Sequence, residues 1–257
     1  MLKRVGHLPQ NFVAKAIIKT VRELPNYPDL SILDLSCGRG EILSVLAGDG
    51  CRVRGTHYRS DDYKLTYKSG PDFLAGLTID ENVDLTKSLN YANESFDVVI
   101  LSEVIEHLPN YITVIFEAGR ILLKGGHLIL TTPNISRLHS RLHFFWSGTH
   151  KLIRRRVSWD ITPDQLYAYH INPVDFPLLH TLLHHAGLHI QRLGVTRFKI
   201  EHSYLLLFYP LYYLAVKLET SKRIENDLHK KGERDLFRWM RHPAMLASEQ
   251  LLIVVSK

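Results

Sequence analysis

The segment SEVIEHL, Ser102–Leu108, gathers Glu103, Glu106 and His107 in one short run. Offsets of three and four residues bring such side chains onto one face of a helix, provided the helix begins that early. Two carboxylates and an imidazole converging at the carboxyl end of a strand make a ligand set for a divalent cation. Mixed oxygen and nitrogen ligation suits Mn or Zn better than Mg. Without a metal, the His107 imidazole is a candidate general base. The plainer alternative is structural, with Glu103 capping backbone and the others packed.

A second set lies in ILDLSCGRGEI, Ile32–Ile42. Asp34 closes an apolar run with a carboxylate. Gly38 and Gly40 let the backbone bend and approach a ligand without a Cβ in the way. The turn reads Ser36-Cys37-Gly38-Arg39-Gly40-Glu41-Ile42-Leu43. It lacks the third glycine of a dinucleotide G-x-G-x-x-G, and no phosphate-loop lysine follows.

Positioning these groups requires strands that end where the chemistry begins. Val13, Ile17, Val21 and Leu24 recur at helical spacing, which predicts an amphipathic helix over about residues 10–24. Apolar runs predict strands at Ser31–Leu35, Cys51–Thr56, Phe96–Leu101, His127–Thr131, Leu188–Gly194 and Gln250–Val255, with a weak one within Leu77–Leu85. Helices are expected at Glu41–Ala47, Glu106–Leu123 and Val174–Ala186. Strands alternating with helices predict an α/β fold, a mostly parallel sheet wound on both faces. In such sheets ligands sit at the carboxyl ends of the strands, near the point where strand order reverses.

The run D-L-S-C-G-R-G-E resembles the first motif of the class I S-adenosylmethionine-dependent methyltransferases. N-Y-A-N-E-S-F-D-V-V-I-L-S-E-V-I-E-H-L, Asn90 to Leu108, resembles the acidic-loop and fourth-strand motifs of that family. R-I-L-L-K-G-G-H-L-I-L-T-T-P-N, Arg120 to Asn134, is similar to its turn into the fifth strand. The resemblance covers roughly Asn11–Val195 and the final strand. It implies a seven-stranded Rossmann-like sheet with an antiparallel last strand, and S-adenosylmethionine as cofactor. Asp34, Ser36, Gly38 and Gly40 would cradle the methionine and ribose parts. Asp84 and Leu85 would flank the adenine, and Ser102 would face the methionine end. One departure stands out: His57 occupies the place where the family usually has an acid gripping both ribose hydroxyls, and an imidazole lacks that two-oxygen geometry.

E-x-x-E-H resembles a metal cluster found in two branches of the family. One methylates catechol-like quinone precursors. The other methylates the 2′-hydroxyl at the 3′ end of small RNAs and adds a histidine from beyond the fifth strand, a place comparable to His170. The resemblance therefore implies metal ligands Glu103, Glu106, His107 and His170, with His107 and His170 as the catalytic imidazoles if no metal binds. A metal holding two neighbouring hydroxyls would lower the pKa of one and aim it at the sulfonium methyl.

Two segments depart from the simple alternation. In residues 133–172, Leu138, Leu142, Phe145 and Trp146 fall at helical spacing and predict an apolar face, with Arg137, Arg141 and Arg154–Arg156 cationic. This segment resembles an arm of bacterial methyltransferases of surface polysaccharide and glycolipid synthesis, and it is expected to act as a lid over the acceptor site. Residues 198–248 form an α-helical insertion before the last strand. Within it, Tyr204–Val216 is apolar or aromatic, broken by Pro210, and flanked by Lys217, Lys222 and Arg223. That stretch is too short to span a bilayer and fits either peripheral membrane contact through 204–217, a helix packed on the sheet, or a homodimer surface.

The 257 residues suit a single domain, and 45% hydrophobic residues allow a sizeable core. A net charge of +6 permits an anionic partner without selecting one. Two cysteines, Cys37 and Cys51, make no disulfide framework, and MLKRVGHLPQNF has no apolar signal core. The expected setting is cytoplasmic, at or near the inner face of a membrane. The sequence points to methyl transfer onto oxygen, with a sugar hydroxyl of a cell-surface glycan or its lipid-linked precursor as acceptor. Alternatives are 2′-O-methylation of RNA 3′ ends, O-methylation of a quinone precursor, and a scaffold that has lost its cofactor.

Overall fold

The computed structural model describes residues 11–58, 73–150, 159, 162, 166–167, 169–197, 207–221 and 227–257. Seven strands form one sheet: β1 (Ser31–Asp34), β2 (Arg52–Thr56), β3 (Thr78–Asp80), β4 (Phe96–Ser102), β5 (Leu122–Pro133), β6 (His189–Val195) and β7 (Gln250–Ser256). Their order is β3-β2-β1-β4-β5-β7-β6. β7 runs antiparallel to both β5 and β6, and the other neighbouring pairs are parallel. The α/β expectation and the antiparallel last strand both hold.

The central strands read as continuous apolar runs because both their faces are covered. Alternate residues serve two cores. Ile32, Val98, Ile100 and Ile129 join Val13, Ile17, Ile18 and Val21 of α1 (Phe12–Arg22) and Ile42, Val45 and Leu46 of α2 (Glu41–Asp49). Leu33, Val99, Leu101 and Leu128 join Val114, Ile115 and Ala118 of α3 (Ile112–Ile121) and Leu179 and Leu183 of α5 (Phe176–His185) on the opposite face. Burying each such side chain contributes roughly 1.5–3 kcal/mol. Asn11 caps α1 by accepting from the Val13 amide at 2.9 Å, and Asp175 caps α5 through the Leu178 amide at 3.1 Å.

The arm differs from its sequence reading. α4 (Leu138–Ser147) forms, but its one fully buried residue is Ser140. Leu142, Phe144, Phe145 and Trp146 are exposed, while Arg137 is buried. The Arg141 guanidinium lies 4.7 Å from the Tyr212 ring centre. The cationic face expected at Arg137 and Arg141 is therefore turned inward, and Arg154–Arg156 lie outside the described residues. Asn134 pins the start of the arm: its side-chain amide donates to the carbonyls of Met245 and Ser248 at 2.9 and 3.0 Å.

The insertion is helical. α6 (Tyr209–Ser221), α7 (Asp227–Met240) and α8 (Pro243–Ala247) fill its described part. Pro210 opens α6 rather than breaking it, since the first turn needs no amide donor there. Trp239 is buried, and Leu236 and Met240 pack beside it on the α3–α5 face of the sheet. Residues 204–206, Lys222 and Arg223 lie outside the described residues.

Gly55 sets the fit between β2 and the turn after β1. A Cβ there would stand 2.6 Å from Cys37 Sγ, 2.8 Å from Leu43 Cδ1 and 2.9 Å from Ile79 Cδ1. Gly55→Ala is expected to lower the unfolding free energy in denaturant titrations by about 1–3 kcal/mol, the usual cost of overpacking.

Candidate active site

β1 ends at Asp34, which registers between Gly55 of β2 and Ile100 of β4. Strand order reverses at the β1–β4 pair, so this is the crevice that an open α/β sheet offers to ligands. Asp34 is 1% exposed, and its Oδ1 has no hydrogen-bond partner. Burial pushes its carboxyl up to about 7.

The turn that follows is stitched to the end of β2. The Ser36 amide donates to Thr56 Oγ1 at 2.9 Å, and the Cys37 amide to the Thr56 carbonyl at 3.1 Å. Ser36, Gly38 and Gly40 all have positive φ, at 74°, 55° and 76°. For Ser36 that is a strained conformation of the kind found at functional turns. A Cβ on Gly40 would meet Leu74 Cδ2 at 3.0 Å, so the glycine also admits the chain of Phe73–Leu77 against the turn.

His57 stands beside this turn, 4% exposed. Its Nε2 lies 2.8 Å from the Gly38 carbonyl, which can only accept, so Nε2 carries the proton. Its Nδ1 faces Glu81 Oε1 at 3.4 Å. The Gly38 carbonyl and the Glu81 carboxylate thus face the two ring nitrogens, and the carboxylate beside the ring is suited to accept from hydroxyl donors. Sequence reading missed Glu81. The signal was in register: Thr56 pairs with Asp80, so the residues one step on, His57 and Glu81, meet across the strand ends.

Asp84 and Leu85 fall close by, since the Val83 amide donates to the His57 carbonyl at 2.9 Å. Asp84 Oδ1 accepts from the Thr86 amide and hydroxyl at 3.0 and 2.7 Å, holding its own turn, and Leu85 belongs to the core.

At the end of β4 the backbone departs from the expected helix. Glu103 sits outside any helix with φ 54°. Its amide donates to the Thr131 carbonyl at 3.0 Å and reaches the Thr131 hydroxyl at 3.1 Å; that hydroxyl lies 3.4 Å from Ser102 Oγ. Ile105–His107 form one short 3-10 turn, and α3 starts only at Ile112. Pro109 explains the break, because it disfavours helix at the residue before it.

That turn brings three ligand atoms together. One each from Glu106, His107 and His170 lie within 4.8 Å of one another. Glu103, expected as a fourth, is not in that group, although its charge contributes to raising the Glu106 carboxyl. Glu106 is 2% exposed; its Oε2 accepts from Thr132 Oγ1 at 3.1 Å, and its Oε1 has no partner. Burial, then Glu103, hold its carboxyl well above the usual range. His107 Nδ1 donates to the Tyr169 carbonyl at 3.0 Å, which directs Nε2 elsewhere. Burial, then His170, push the His107 imidazole down to about 4. The two rings meet edge to face at 4.7 Å.

The end of the arm binds this cluster to the cofactor side. The Asn172 amide donates to the Glu106 carbonyl at 3.0 Å, and its side chain to the Leu108 carbonyl at 3.2 Å. Tyr167 packs edge-on against Tyr58, the residue after His57, at 6.2 Å.

A family profile described as "Methyltransferase domain" matches residues 10–193. The chain belongs to the S-adenosylmethionine-dependent methyltransferases. Over 175 residues it is 28% identical to a ubiquinone biosynthesis O-methyltransferase of Cereibacter sphaeroides, 64% of this chain and 67% of that one. A mitochondrial ubiquinone biosynthesis O-methyltransferase of Rattus norvegicus is 31% identical over 142 residues, 53% of this chain and 41% of that one. Crystal structures of S-adenosylmethionine-dependent methyltransferases from Mesorhizobium loti and Archaeoglobus fulgidus share the fold. Their TM-scores are 0.51 and 0.52 at 15% and 14% identity, with 95% of this chain covered in each case and 98% and 94% of theirs.

The crevice of this methyltransferase fits the family's cofactor on chemical grounds. The unpartnered Oδ1 of buried Asp34 suits a cationic amino group, and the Glu81 carboxylate beside His57 suits ribose hydroxyls. The turn of Ser36, Gly38 and Gly40 would lie against the ligand's backbone-like portion, with Asp84 and Leu85 toward the adenine and Ser102 toward the sulfur.

Replacing Glu81 with Gln is expected to weaken S-adenosylhomocysteine binding about tenfold in calorimetry, the scale of one charge-assisted hydrogen bond. The same change should leave binding of the 2′,3′-dideoxy analogue nearly unaltered. For Asp34, a folded pKa near 7 against an unfolded value of 3.8 means stability falls as pH rises through that window. Asp34→Asn should therefore stabilise the ligand-free protein at pH 8, by at most about 4 kcal/mol, while denaturation midpoints of the two proteins converge at acidic pH and S-adenosylhomocysteine binding is lost.

Proposed function

We propose that this methyltransferase transfers its methyl group to one hydroxyl of a vicinal pair on a catechol-like quinone precursor. The observation that carries this reading is the buried Glu106, with an unpartnered oxygen, beside His107 and His170 at the carboxyl end of β4. The names of the curated relatives favour the quinone precursor over the sugar hydroxyl first expected. The inward placement of Arg137 and Arg141 removes two of the cations on which the glycan-arm and RNA readings leaned.

The donor set fits one divalent cation. Desolvation drives Glu106 toward its neutral form, a state that a neighbouring positive charge reverses. It also keeps His107 neutral, the state in which imidazole is a ligand. Glu106, His107 and His170 would hold the ion, which when bound supplies the charge that lowers the pKa of an adjacent acceptor hydroxyl.

The chain's own residues do the rest. The Tyr169 carbonyl fixes the His107 tautomer, and Thr132 orients the Glu106 carboxylate. Ser102 and the Asp34 turn would hold the cofactor on the side of the crevice next to the cluster. When bound, the cofactor would supply the methyl group, its S–CH3 bond being exchanged for O–CH3 with release of the neutral thioether, and the hydroxyl proton would pass to solvent water. Orientation dominates such a displacement because the leaving group is already good.

A labelled-methyl assay with a dihydroxybenzoate tests the reading. Chelation is expected to lower turnover about 100-fold, with recovery on adding Mn or Zn, and Glu106→Gln to lower it by a similar factor while S-adenosylhomocysteine still binds. Full activity after chelation and in Glu106→Gln, or equal turnover of a monohydroxy acceptor, would contradict it.

A further inference from the structure

His170 reaches the cluster from outside the sheet. It is delivered by residues 166–167 and 169–172, at the end of the arm. Whatever holds that segment decides whether His170 stands beside Glu106 and His107.

The downstream end is anchored to the turn after β4. The Asn172 amide and side chain donate to the carbonyls of Glu106 and Leu108, and the Tyr169 carbonyl accepts from His107 Nδ1. These bonds fix the segment against one wall of the crevice, the wall that carries the cluster.

Tyr167 touches both walls. Its backbone interacts with the His107 imidazole. Its ring meets the Tyr58 ring edge to face, with centroids 6.2 Å apart and planes at 68°. The Tyr169 amide donates to the Leu166 carbonyl at 3.0 Å, which closes a tight turn and carries the position of Tyr167 on to His170.

Tyr58 gives that ring a firm support. It follows His57, whose amide donates to the Asp80 carbonyl and whose carbonyl accepts from the Val83 amide, both at 2.9 Å. The His57 ring is held at the Gly38 carbonyl at 2.8 Å. The residue before Tyr58 is thus fixed through amide, carbonyl and side chain, all by groups of the cofactor wall. Tyr58 is 45% exposed, and neither tyrosine belongs to the buried cores formed by the described residues. A ring pair at the rim gains little stability, but it sets the distance between the walls.

We infer that Tyr167 is a positioning residue of the acceptor site: braced on Tyr58, it holds His170 and the Tyr169 carbonyl against the turn after β4. It acts through His170 and His107 rather than on a reacting atom. The kinetic consequence rests on the catechol acceptor proposed for this site, and the structural consequence does not. An edge-to-face pair is worth a factor of about three to ten, so its loss loosens the segment without unfolding the protein.

Hydrogen–deuterium exchange of the full chain, read by mass spectrometry, tests the structural consequence. Tyr167→Ala is expected to speed exchange of the peptide spanning 166–172, which contains the bonded amides of Tyr169 and Asn172, by about fivefold. Peptides from β4 and β5 should keep wild-type rates, which a general loss of stability would not allow. Tyr167→Phe should behave as wild type, because the contact is ring against ring. Tyr58→Ala should speed the same peptide, and the double variant should be no faster than the faster single one. In the labelled-methyl assay, Tyr167→Ala should lower kcat/KM for the dihydroxybenzoate about fivefold, with KM for S-adenosylmethionine near its wild-type value. Unchanged exchange at 166–172 in Tyr167→Ala, or faster exchange shared equally by β4 and β5, would overturn the inference. The expected exchange pattern in a protein that never turns over the dihydroxybenzoate would support the positioning role and sink the acceptor reading alone.

Discussion

Desolvation of carboxylates at the carboxyl edge of the sheet is the constraint around which the site is arranged. Asp34 closes β1 and Glu106 follows β4, the two strands that neighbour each other where the order reverses. Each has an oxygen that the protein leaves without a partner. A buried, unsatisfied carboxyl oxygen is a cost in the empty protein, and folds retain such groups where a ligand supplies the missing contact. One carboxylate closes the strand before the glycine turn and the other lies beside two imidazoles, both at the carboxyl edge of the sheet.

The scaffold supports this by leaving little freedom around the edge. Thr56 ties down the turn after β1, Thr131 and Thr132 hold the residues after β4, and Asn172 brings the end of the arm back onto Glu106. All are polar groups at strand ends or beside them, and they fix backbone rather than touch a reacting atom. The Tyr58–Tyr167 and His107–His170 pairs extend the same closure across both ends of the crevice.

Much of this was legible in the sequence. VVIL in β4 and LLIVV in β7 announce fully buried strands because nothing polar interrupts them, and the turn after Asp34, with Gly38 and Gly40, marks the crevice. β3 was weak because only three residues, Thr78–Asp80, extend, and none is fully buried. The helix expected from Glu106 failed at Pro109, and with it the argument that Glu103 shares a face with His107. Glu81 could not be seen because its partner His57 lies across a strand pair whose register no local pattern encodes. In α4 the periodicity identified an apolar face correctly but could not say whether it met protein or solvent. The structure turns it outward, and Ser140 with Arg137 takes the inner side.

The most direct measurement is a crystal structure of the protein soaked to saturation with S-adenosylhomocysteine. The account expects density in the β1–β4 crevice, with the ligand's amino group within hydrogen-bond distance of Asp34 Oδ1 and its sulfur directed toward Glu106, His107 and His170. An empty crevice, or a ligand whose sulfur points away from those three residues, would contradict it.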